Sequence, residues 1–435
     1  MSEETKVQLK KMKSNILCDD QKLPHDLITM HILTRLPIKS VLEFKLVSKQ
    51  WYSTLSSYHF SNAHFKFSSL TNPFTLEDFV FIQKGSQFYL FTYNEDGENK
   101  LFRLKHDFRE TACCSEGNLG FIVELARGFG EIEYSAGDIG SIVTGRDKLF
   151  VIGSCNGLVC LGSLYDLILW NPVIGRSKKF DSDSDNMLNP STICRASWGF
   201  GYVASIDDYK VVRIIELPLS LEIMVHVFSM KSNSWRRIDP REYDHVLSLR
   251  SFKSAVIISG QHYIFHTNRG VVCDERVNWI VAKAEVWGIR VVSFDMVNET
   301  FETYHSVELS TREVYWDKLL CVMRGCFSIY GANMRGDAYI SMYECPREGY
   351  QRKESIRLFR DLRLDSCTDL IDLSRDGKFL VKKDDAEIGM VDSSLRPMIY
   401  KRLIKFNETG RISSMYLTRH VPSLVTPDAE DSLFS

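Results

Sequence analysis

The chain has 435 residues, 44% of them hydrophobic and 25% charged, which is the composition of an ordinary folded protein. Its 54 Lys and Arg residues nearly balance its 56 Asp and Glu residues, and the formal net charge is -2. So small a charge gives no overall field to attract nucleic acid or an anionic membrane, and no apolar stretch approaches the ~18 residues of a membrane span. We therefore expect neither nucleic acid nor a membrane among its partners.

Residues 1–22 are polar and charged, with neither the apolar core nor the cleavage site of a secretory signal. We predict a disordered leader there, and a cytoplasmic or nuclear location, or both. The 11 cysteines are odd in number and include no C-x-x-C pair, which favours reduced thiols over a disulfide framework or a structural zinc site. No motif calls for a metal or another cofactor.

The first informative segment, Leu23 to Phe60, is predicted to form three short helices. Pro24 stands where a first-turn proline belongs, and Pro37 ends the first helix. Ser40 is a candidate cap for the second helix and Ser48 for the third, because a serine hydroxyl can accept the free N–H groups of a first turn.

This segment is too small to bury its own apolar side chains. The first helix is apolar nearly all round after its first turn, and units below about 40 residues rarely fold alone. A fully buried Leu, Ile or Trp contributes roughly 1.5 to 3 kcal/mol, so a few of them anchor a partner. The pattern therefore indicates an interaction module. The alternative is a helical cap that packs on the following domain.

Specific residues within the segment resemble an F-box: Leu23-Pro24, Asp26-Leu27, Ile32-Leu33, Leu36-Pro37, Val41-Leu42, Phe44, Val47-Ser48-Lys49 and Trp51. His31 departs from the motif, since F-boxes usually carry an acidic residue there. The resemblance implies docking on a Skp-type adaptor and, through it, on a cullin-RING ubiquitin ligase. It assigns adaptor docking to Leu23, Pro24, Leu27, Leu33, Leu36, Pro37, Leu42, Val47 and Trp51.

From about Phe65 to Leu417 the chain is predicted to be all β, because short runs of Val, Ile, Phe, Tyr and Trp alternate with Gly, Asn, Asp and Ser turns. A recurring apolar strand ends in an aromatic residue or Met, at steps of roughly 50 residues or more, as in kelch-type blades. The six strand ends are Phe91, Trp170, Phe228, Phe294, Tyr343 and Met390. We predict a kelch-like propeller of about six blades; a pair of open β-sandwiches is the alternative.

The β region is similar to the F-box associated interaction domain of plant F-box proteins, a group that includes S-locus F-box and immune-receptor-regulating members. The similarity rests on SCNGLVCL with LILWNPVIGRSKKF, FGYVASIDDYKVVRI, VHVFSMKSNSWRRI and VVSFDMVNETFETY. It implies an α+β multidomain chain: a leader at 1–22, a three-helix F-box at 23–64, the propeller at 65–417 and a disordered tail at 418–435. A self-incompatibility ribonuclease, an immune receptor and another plant protein remain open as substrates.

No linear motif supplies a catalytic site. The run Gly199-Phe200-Gly201 lacks the third glycine of a phosphate loop, and His262 and His266 would lie too far apart along a strand to share a metal. We therefore expect a non-catalytic substrate-recognition subunit of a Skp-cullin-F-box E3 ubiquitin ligase, with a protein substrate held by the β domain. The alternative is a propeller enzyme or lectin with a structural helical cap.

Overall fold

The computed structural model describes residues 26–71, 79–84, 87–92, 100–104, 149–163, 166–180, 195–217, 222–244, 246–247, 256–258, 261–263, 269–282, 289–304, 318–323, 326–332, 338–344, 351–359, 368–373, 378–383, 387–392, 399–406 and 415–427. The predictions for the leader at 1–22, for Leu23 and Pro24, and for the last residues of the tail lie outside these ranges. None of the described helices is long and apolar enough to span a membrane.

The helical unit begins with a π-helical turn, Leu27–Ile32, and a 3-10 turn, Leu33–Arg35. Three α-helices follow: α1 at Ile38–Lys45, α2 at Lys49–Leu55 and α3 at Tyr58–Thr71. The predicted first helix is therefore irregular. The Thr34 hydroxyl donates to the Met30 carbonyl at 2.8 Å, a side-chain bond that competes with the helical ladder.

Of the two predicted serine caps, one is confirmed. Ser48 Oγ accepts from the Trp51 N–H at 3.1 Å and starts α2. Ser40 lies inside α1, whose N-cap is Pro37, so its prediction as a cap is wrong. Pro37 starts α1 earlier than expected because its fixed φ suits a helix entrance.

The helix α3 makes the unit larger than the predicted three-helix segment. The helix α3 runs through the predicted boundary between residues 64 and 65 and ends at Thr71. Ser57 Oγ accepts from the Phe60 N–H at 3.2 Å, which ends the preceding turn and begins α3. Phe60 and His64 are buried, so α3 belongs to the core of the helical unit.

The rest of the described chain contains six four-stranded antiparallel sheets, which we number as blades 1 to 6. Blade 1 contains β1 Phe79–Lys84, β2 Gln87–Thr92, β3 Lys100–Leu104 and β26 Met415–His420. Blade 2 contains β4 Phe150–Cys155, β5 Leu158–Gly162, β6 Leu167–Asn171 and β7 Arg176–Phe180. Blade 3 contains β8 Arg195–Val203, β9 Asp208–Leu217, β10 Glu222–Ser229 and β11 Ser234–Arg237. Blade 4 contains β14 Val271–Cys273, β15 Arg276–Ala282, β16 Ile289–Asp295 and β17 Thr300–Tyr304. Blade 5 contains β18 Lys318–Met323, β19 Cys326–Ala332, β20 Ala338–Glu344 and β21 Gln351–Phe359. Blade 6 contains β22 Thr368–Leu373, β23 Lys378–Lys383, β24 Glu387–Asp392 and β25 Ile399–Lys405. A short helix, α4 at Pro240–Tyr243, and a hairpin of β12 Val256–Ile258 and β13 Gln261–Tyr263 lie between blades 3 and 4 in the chain.

The six sheets form a closed ring. The strand β26 pairs with β1, from Phe79 opposite His420 to Lys84 opposite Met415, so the end of the chain completes the first blade. The innermost strands β26, β4, β8, β14, β18 and β22 each pack beside the next, and β22 packs beside β26. The propeller prediction and its six-blade count are confirmed, and the β-sandwich alternative is wrong.

The recurring segment found in the sequence is the third strand of every blade. The six strand ends fall on β2, β6, β10, β16, β20 and β24, each of which lies between the second and the outermost strand of its sheet. Trp170 shows why an aromatic residue recurs there. Its ring makes edge contacts with Phe81 at 5.7 Å and Phe88 at 5.6 Å, which join blade 2 to blade 1.

The prediction of a disordered tail from residue 418 is wrong for residues 418–427. The strand β26 continues to His420, and Leu424, Val425 and Thr426 are buried. We call residues 421–427 the C-terminal strap. It is ordered because β26 supplies the innermost strand of blade 1 and delivers the strap into the space between the propeller and the helical unit.

The two faces of the ring have different connections. One face carries the turns that join the first strand of a blade to the second and the third to the fourth. We call it the short-turn face; its turns include 156–157, 204–207, 230–233 and 296–299. All six described non-glycine residues with positive φ lie in such turns: Asn156, Asp207, Asn233, Asp274, Glu275 and Glu299. The connections between blades join strand ends on the opposite face, which we call the long-connection face. These connections include 105–149, 181–194, 238–270 and 305–317.

Candidate docking surface on the helical unit

Exposed large hydrophobic side chains are concentrated on the helical unit. Seven such side chains occur in the described residues, and five of them belong to this unit: Leu27, Ile32, Leu46, Val47 and Tyr52. Val47 is the most exposed, at 64%. The other two, Ile206 and Val297, are single residues in propeller turns. A concentration of exposed apolar side chains on one small unit indicates an interaction surface, whereas scattered ones are common on any protein. We call these five side chains the exposed cluster.

The turn between α1 and α2 holds part of this cluster in a fixed backbone. The N–H groups of Leu46 and Val47 donate to the carbonyls of Glu43 and Phe44, at 3.0 and 3.1 Å. Ser48 then caps α2, and Tyr52 lies in the first turn of that helix, so its backbone is held as well. The exposed side chains therefore project from hydrogen-bonded backbone, so little ordering is needed when a partner binds.

The structure divides the predicted docking residues into three groups. Leu27, Pro37 and Val47 are exposed, and Leu36 and Trp51 are half-buried. The Trp51 ring lies 5.3 Å from that of Phe44 and packs against the core of the unit. These five can contribute to a surface, while Leu23 and Pro24 lie outside the described residues.

Leu33 and Leu42 form the third group. Both are buried, Leu42 completely, in a core shared with Val41, Leu55 and Phe60. They present no surface to a partner in this arrangement, and their assignment to adaptor docking stays a prediction. Their contribution is to hold the helices that carry the exposed side chains.

Sequence reasoning missed Ile32, Leu46 and Tyr52 as exposed candidates. A signal for Tyr52 was present, because Trp51 and Leu55 are spaced i, i+4 and face the core, which turns the intervening Tyr52 away from that face. Ile32 could not be placed in this way, because the π-helical turn that carries it does not follow the period of an α-helix.

The core of the helical unit is continuous with the propeller. Val173 and Ile174, in the turn between β6 and β7, pack with the same core, as does Leu424 of the C-terminal strap. A second contact joins Tyr58 of α3 to Asp207 on the short-turn face. Burial raises the pKa of Tyr58, and the nearby Asp207 carboxylate, which also accepts its hydroxyl hydrogen bond, raises this pKa further. The helical unit therefore sits on the short-turn face at blades 2 and 3.

Asn171 fixes the C-terminal strap at this junction. Its side-chain Nδ2 donates to the carbonyl of Ser423 at 3.0 Å and to that of Val425 at 2.8 Å. Its Oδ1 accepts from the Val173 N–H at 2.9 Å. Ser423 Oγ in turn donates to the Asn156 carbonyl at 2.5 Å. A single buried carboxamide thus links the strap to the turn on which the helical unit packs.

The buried titratable groups near this junction are structural. Burial raises the pKa of the Cys155 thiol to about 11 and that of Cys160 as well, so both remain protonated near neutral pH and lack nucleophilic thiolate. Burial lowers the pKa of His420 to about 3, and its Nδ1 lies 2.9 Å from Ser154 Oγ. Within the described ranges, no group of three or more His, Cys, Asp or Glu residues could hold a metal ion.

Two family models match this arrangement of a helical unit and a propeller. The F-box domain matches residues 21–62, and the F-box associated beta propeller domain matches residues 139–334. The chain combines an F-box with an F-box associated β-propeller. The helical unit described above is therefore the F-box, and its exposed cluster lies within the matched residues.

Curated proteins of Arabidopsis thaliana are similar to this chain. F-box/kelch-repeat protein At3g23880 is 26% identical, over 72% of this chain and 71% of its own length. F-box protein At5g10340 is 26% identical, over 65% of this chain and 57% of its own length. Among solved structures, the Dos1 propeller matches 75% of this chain and 69% of its own at 10% identity, with a TM-score of 0.33. Neither relative bears an S-locus name, so the predicted S-locus subgroup stays a prediction.

Proposed function

We propose that this chain is a substrate-recognition subunit of a Skp-cullin-F-box E3 ubiquitin ligase. The F-box docks a Skp-type adaptor, which links the chain to a cullin-RING ligase, and the propeller binds a protein substrate. The chain itself is a non-catalytic adaptor that acts in the cytoplasm, the nucleus or both. Its contribution is to raise the effective concentration of the substrate near the ubiquitin-charged enzyme.

The exposed cluster on the F-box is the observation that carries this proposal. Five of the seven exposed large hydrophobic side chains in the described residues lie on a unit whose own core is already closed by Leu33, Leu42 and Leu424. At about 25 cal/mol per Å² of apolar surface, burying five half-exposed side chains supplies on the order of 10 kcal/mol before the costs of association. That is enough to account for a stable adaptor complex.

The position of the F-box supports a substrate site on the long-connection face. The F-box occupies the short-turn face at blades 2 and 3, through Val173, Ile174 and Asp207. Binding residues are most often found on the longer connections of a rigid scaffold. A substrate held at the opposite face leaves the F-box free to dock its adaptor, so both partners can bind at once.

Adaptor docking is tested by measuring the affinity of the full chain for a Skp-type adaptor with and without Val47→Asp. Val47 is the most exposed of the five side chains. A carboxylate there disrupts the apolar interface with the adaptor without disturbing the F-box core. We expect at least ~30-fold weaker binding, in the range of a hot-spot residue. Val297→Asp is the matched control on the propeller, where Val297 is 37% exposed in a turn of blade 4. Equal affinity for all three chains would refute the assignment.

Substrate recognition is tested by using the same Val47→Asp chain to capture substrates that it binds but does not deliver for ubiquitination. Because only the adaptor surface is altered, the propeller should retain its substrate while ubiquitin transfer to that substrate is lost. Proteins recovered with both chains, but ubiquitinated only with the unaltered one, are the expected result. Recovery of no specific protein with either chain would count against the substrate-receptor role.

A further inference from the structure

A cation–π contact crosses the axis of the propeller. The guanidinium carbon of Arg269, two residues before β14 of blade 4, lies 5.0 Å from the centre of the Tyr416 ring in β26 of blade 1. Blades 1 and 4 are three places apart in either direction around the ring of six, so they lie opposite each other. Both side chains are half-buried. Partial removal from water strengthens the attraction between a guanidinium and the face of a tyrosine ring.

The backbone holds Arg269 in position for this contact. Arg269 forms an isolated β-bridge with Trp198 of β8, and the Gly270 N–H donates to the Trp198 carbonyl at 2.6 Å. Gly270 also packs closely, since a Cβ there would lie 2.6 Å from the Trp279 ring. Arg269 is therefore anchored to blades 3 and 4 by its backbone and reaches blade 1 with its side chain.

The strand that carries Tyr416 closes the ring. β26 comes from the far end of the chain relative to the other three strands of blade 1, and it joins them by pairing with β1. Because no short turn tethers β26 to β1, the chain entropy gained on its release is larger than for a strand within a hairpin. Contacts of its side chains with other blades therefore matter for keeping it in place.

Side-chain contacts hold β26 at both of its ends. Tyr416 and His420 are four residues apart, and residues at even spacings share one face of a strand. At the end near the short-turn face, His420 Nδ1 lies 2.9 Å from Ser154 Oγ of β4. At the end near the long-connection face, Tyr416 lies beneath Arg269. β26 is thus joined to the adjacent blade 2 at one end and to the opposite blade 4 at the other.

We propose that Arg269 and Tyr416 form a clasp across the ring that keeps β26 in blade 1 and, through β26, the C-terminal strap in place beside the F-box. The strap follows β26 directly, and its Leu424 packs in the F-box core. Loss of the clasp lets β26 and the strap open together, while β1, β2 and β3 stay paired with one another. The clasp therefore lies on the long-connection face and acts on the opposite face, where the F-box sits.

Hydrogen exchange of the full chain, measured over residues 415–427, tests the clasp. We expect Arg269→Met and Tyr416→Leu each to speed exchange there by at least about fivefold, since the exchange of protected amides follows the free energy of local opening. The double variant should exchange no faster than the faster single variant, because both substitutions remove the same contact. Tyr416→Phe keeps the aromatic face, so we expect its exchange to stay within about twofold of the unaltered chain.

Lys178→Met is the matched control. Lys178 Nζ lies 5.3 Å from the centre of the Phe180 ring within β7, so this substitution removes a cation–π contact that does not involve β26. We expect it to leave exchange over residues 415–427 unchanged.

Several results would overturn the clasp. They are unchanged exchange over residues 415–427 with both Arg269→Met and Tyr416→Leu, effects that multiply in the double variant, an effect of Tyr416→Phe as large as that of Tyr416→Leu, and an equal acceleration by Lys178→Met. Arg269 is half-buried and lies outside the strands, so Arg269→Met decides the outcome even if Tyr416→Leu does not fold.

Discussion

The side chain of Asn171 donates a hydrogen bond to the backbone carbonyl of Val425 at 2.8 Å, across most of the length of the chain. Asn171 ends the third strand of blade 2, and Val425 belongs to the C-terminal strap. Val425 packs in the core between blades 2 and 3, and the neighbouring Leu424 packs in the core of the F-box. The strap therefore joins the F-box to the propeller, alongside the direct contacts of Val173, Ile174 and Asp207.

Asn171→Ala tests the role of the strap. Asn171 is fully buried, and its loss leaves the Ser423 and Val425 carbonyls without their donor, at a cost of about 1 to 3 kcal/mol for each buried group left unpaired. We expect the free energy of unfolding in urea to fall by about 2 to 6 kcal/mol, with faster hydrogen exchange in residues 421–427. Asn62→Ala, half-buried on α3, is the control. Equal effects of the two substitutions would show that the strap is not held through Asn171.

A pair of F-box substitutions separates buried from exposed residues. Leu42→Ala removes a completely buried side chain, and we expect it to lower the free energy of unfolding by about 2 to 5 kcal/mol. Val47→Asp changes a mostly exposed side chain, and we expect a change within about 0.5 kcal/mol. Thermal or urea unfolding of the full chain checks both values. A large loss of stability with Val47→Asp would mean that Val47 belongs to the F-box core.

The buried His420 predicts a specific dependence of stability on pH. Its pKa is about 3 in the folded chain, because burial disfavours the charged ring, against an ordinary value of 6.5. Between these two pH values the unfolded chain binds a proton that the folded chain does not bind. The free energy of unfolding therefore decreases as the pH falls below about 6.5 toward 3. Between pH 6.5 and 5 we expect His420 to account for a loss of roughly 2 kcal/mol.

Urea unfolding of His420→Gln at several pH values isolates this contribution. The variant should lose less stability than the unaltered chain over the same pH range, since one proton is no longer taken up on unfolding. His64 is buried with a lowered pKa as well, so a residual slope is expected. Identical slopes for the two chains would contradict the assignment of His420 as a neutral, buried ring.

The two cysteines of blade 2 should resist alkylation in the native state. With a pKa of about 11, Cys155 is ionised to about one part in a thousand at pH 8, and burial shields Cys160 as well. Mass spectrometry after brief treatment with iodoacetamide should show both thiols unmodified until urea is added. Rapid modification of Cys160 in the native chain would show that blade 2 opens more readily than its packing implies.

The repeated architecture could be predicted from the sequence, and the strap could not. Strands such as the one ending at Trp170 can be recognised in the sequence, because Phe91, Trp170, Phe228 and Phe294 are buried aromatic residues that recur at the same place in successive blades. The strap has too few residues for any period, and the residue that holds it, Asn171, lies far away in the sequence. An Asn after a strand otherwise indicates only a turn.

The F-box motif located the segment that carries the exposed side chains, but not which of its side chains face outward. Leu33 and Leu42 match the motif because they form its core, whereas Leu46 and Tyr52 are exposed. Short helices joined by irregular turns carry too weak a period to separate the two groups, and the π-helical turn at Leu27–Ile32 removes the α-helical period altogether.

Hydrogen-exchange mapping of the full chain with and without a Skp-type adaptor tests whether the F-box docks the adaptor through its exposed side chains. We expect slower exchange on binding in the segment from Leu46 to Tyr52, which carries three of the five exposed side chains, and unchanged exchange in the propeller strands β14 to β25. Protection confined to the propeller, or no stable complex, would contradict it.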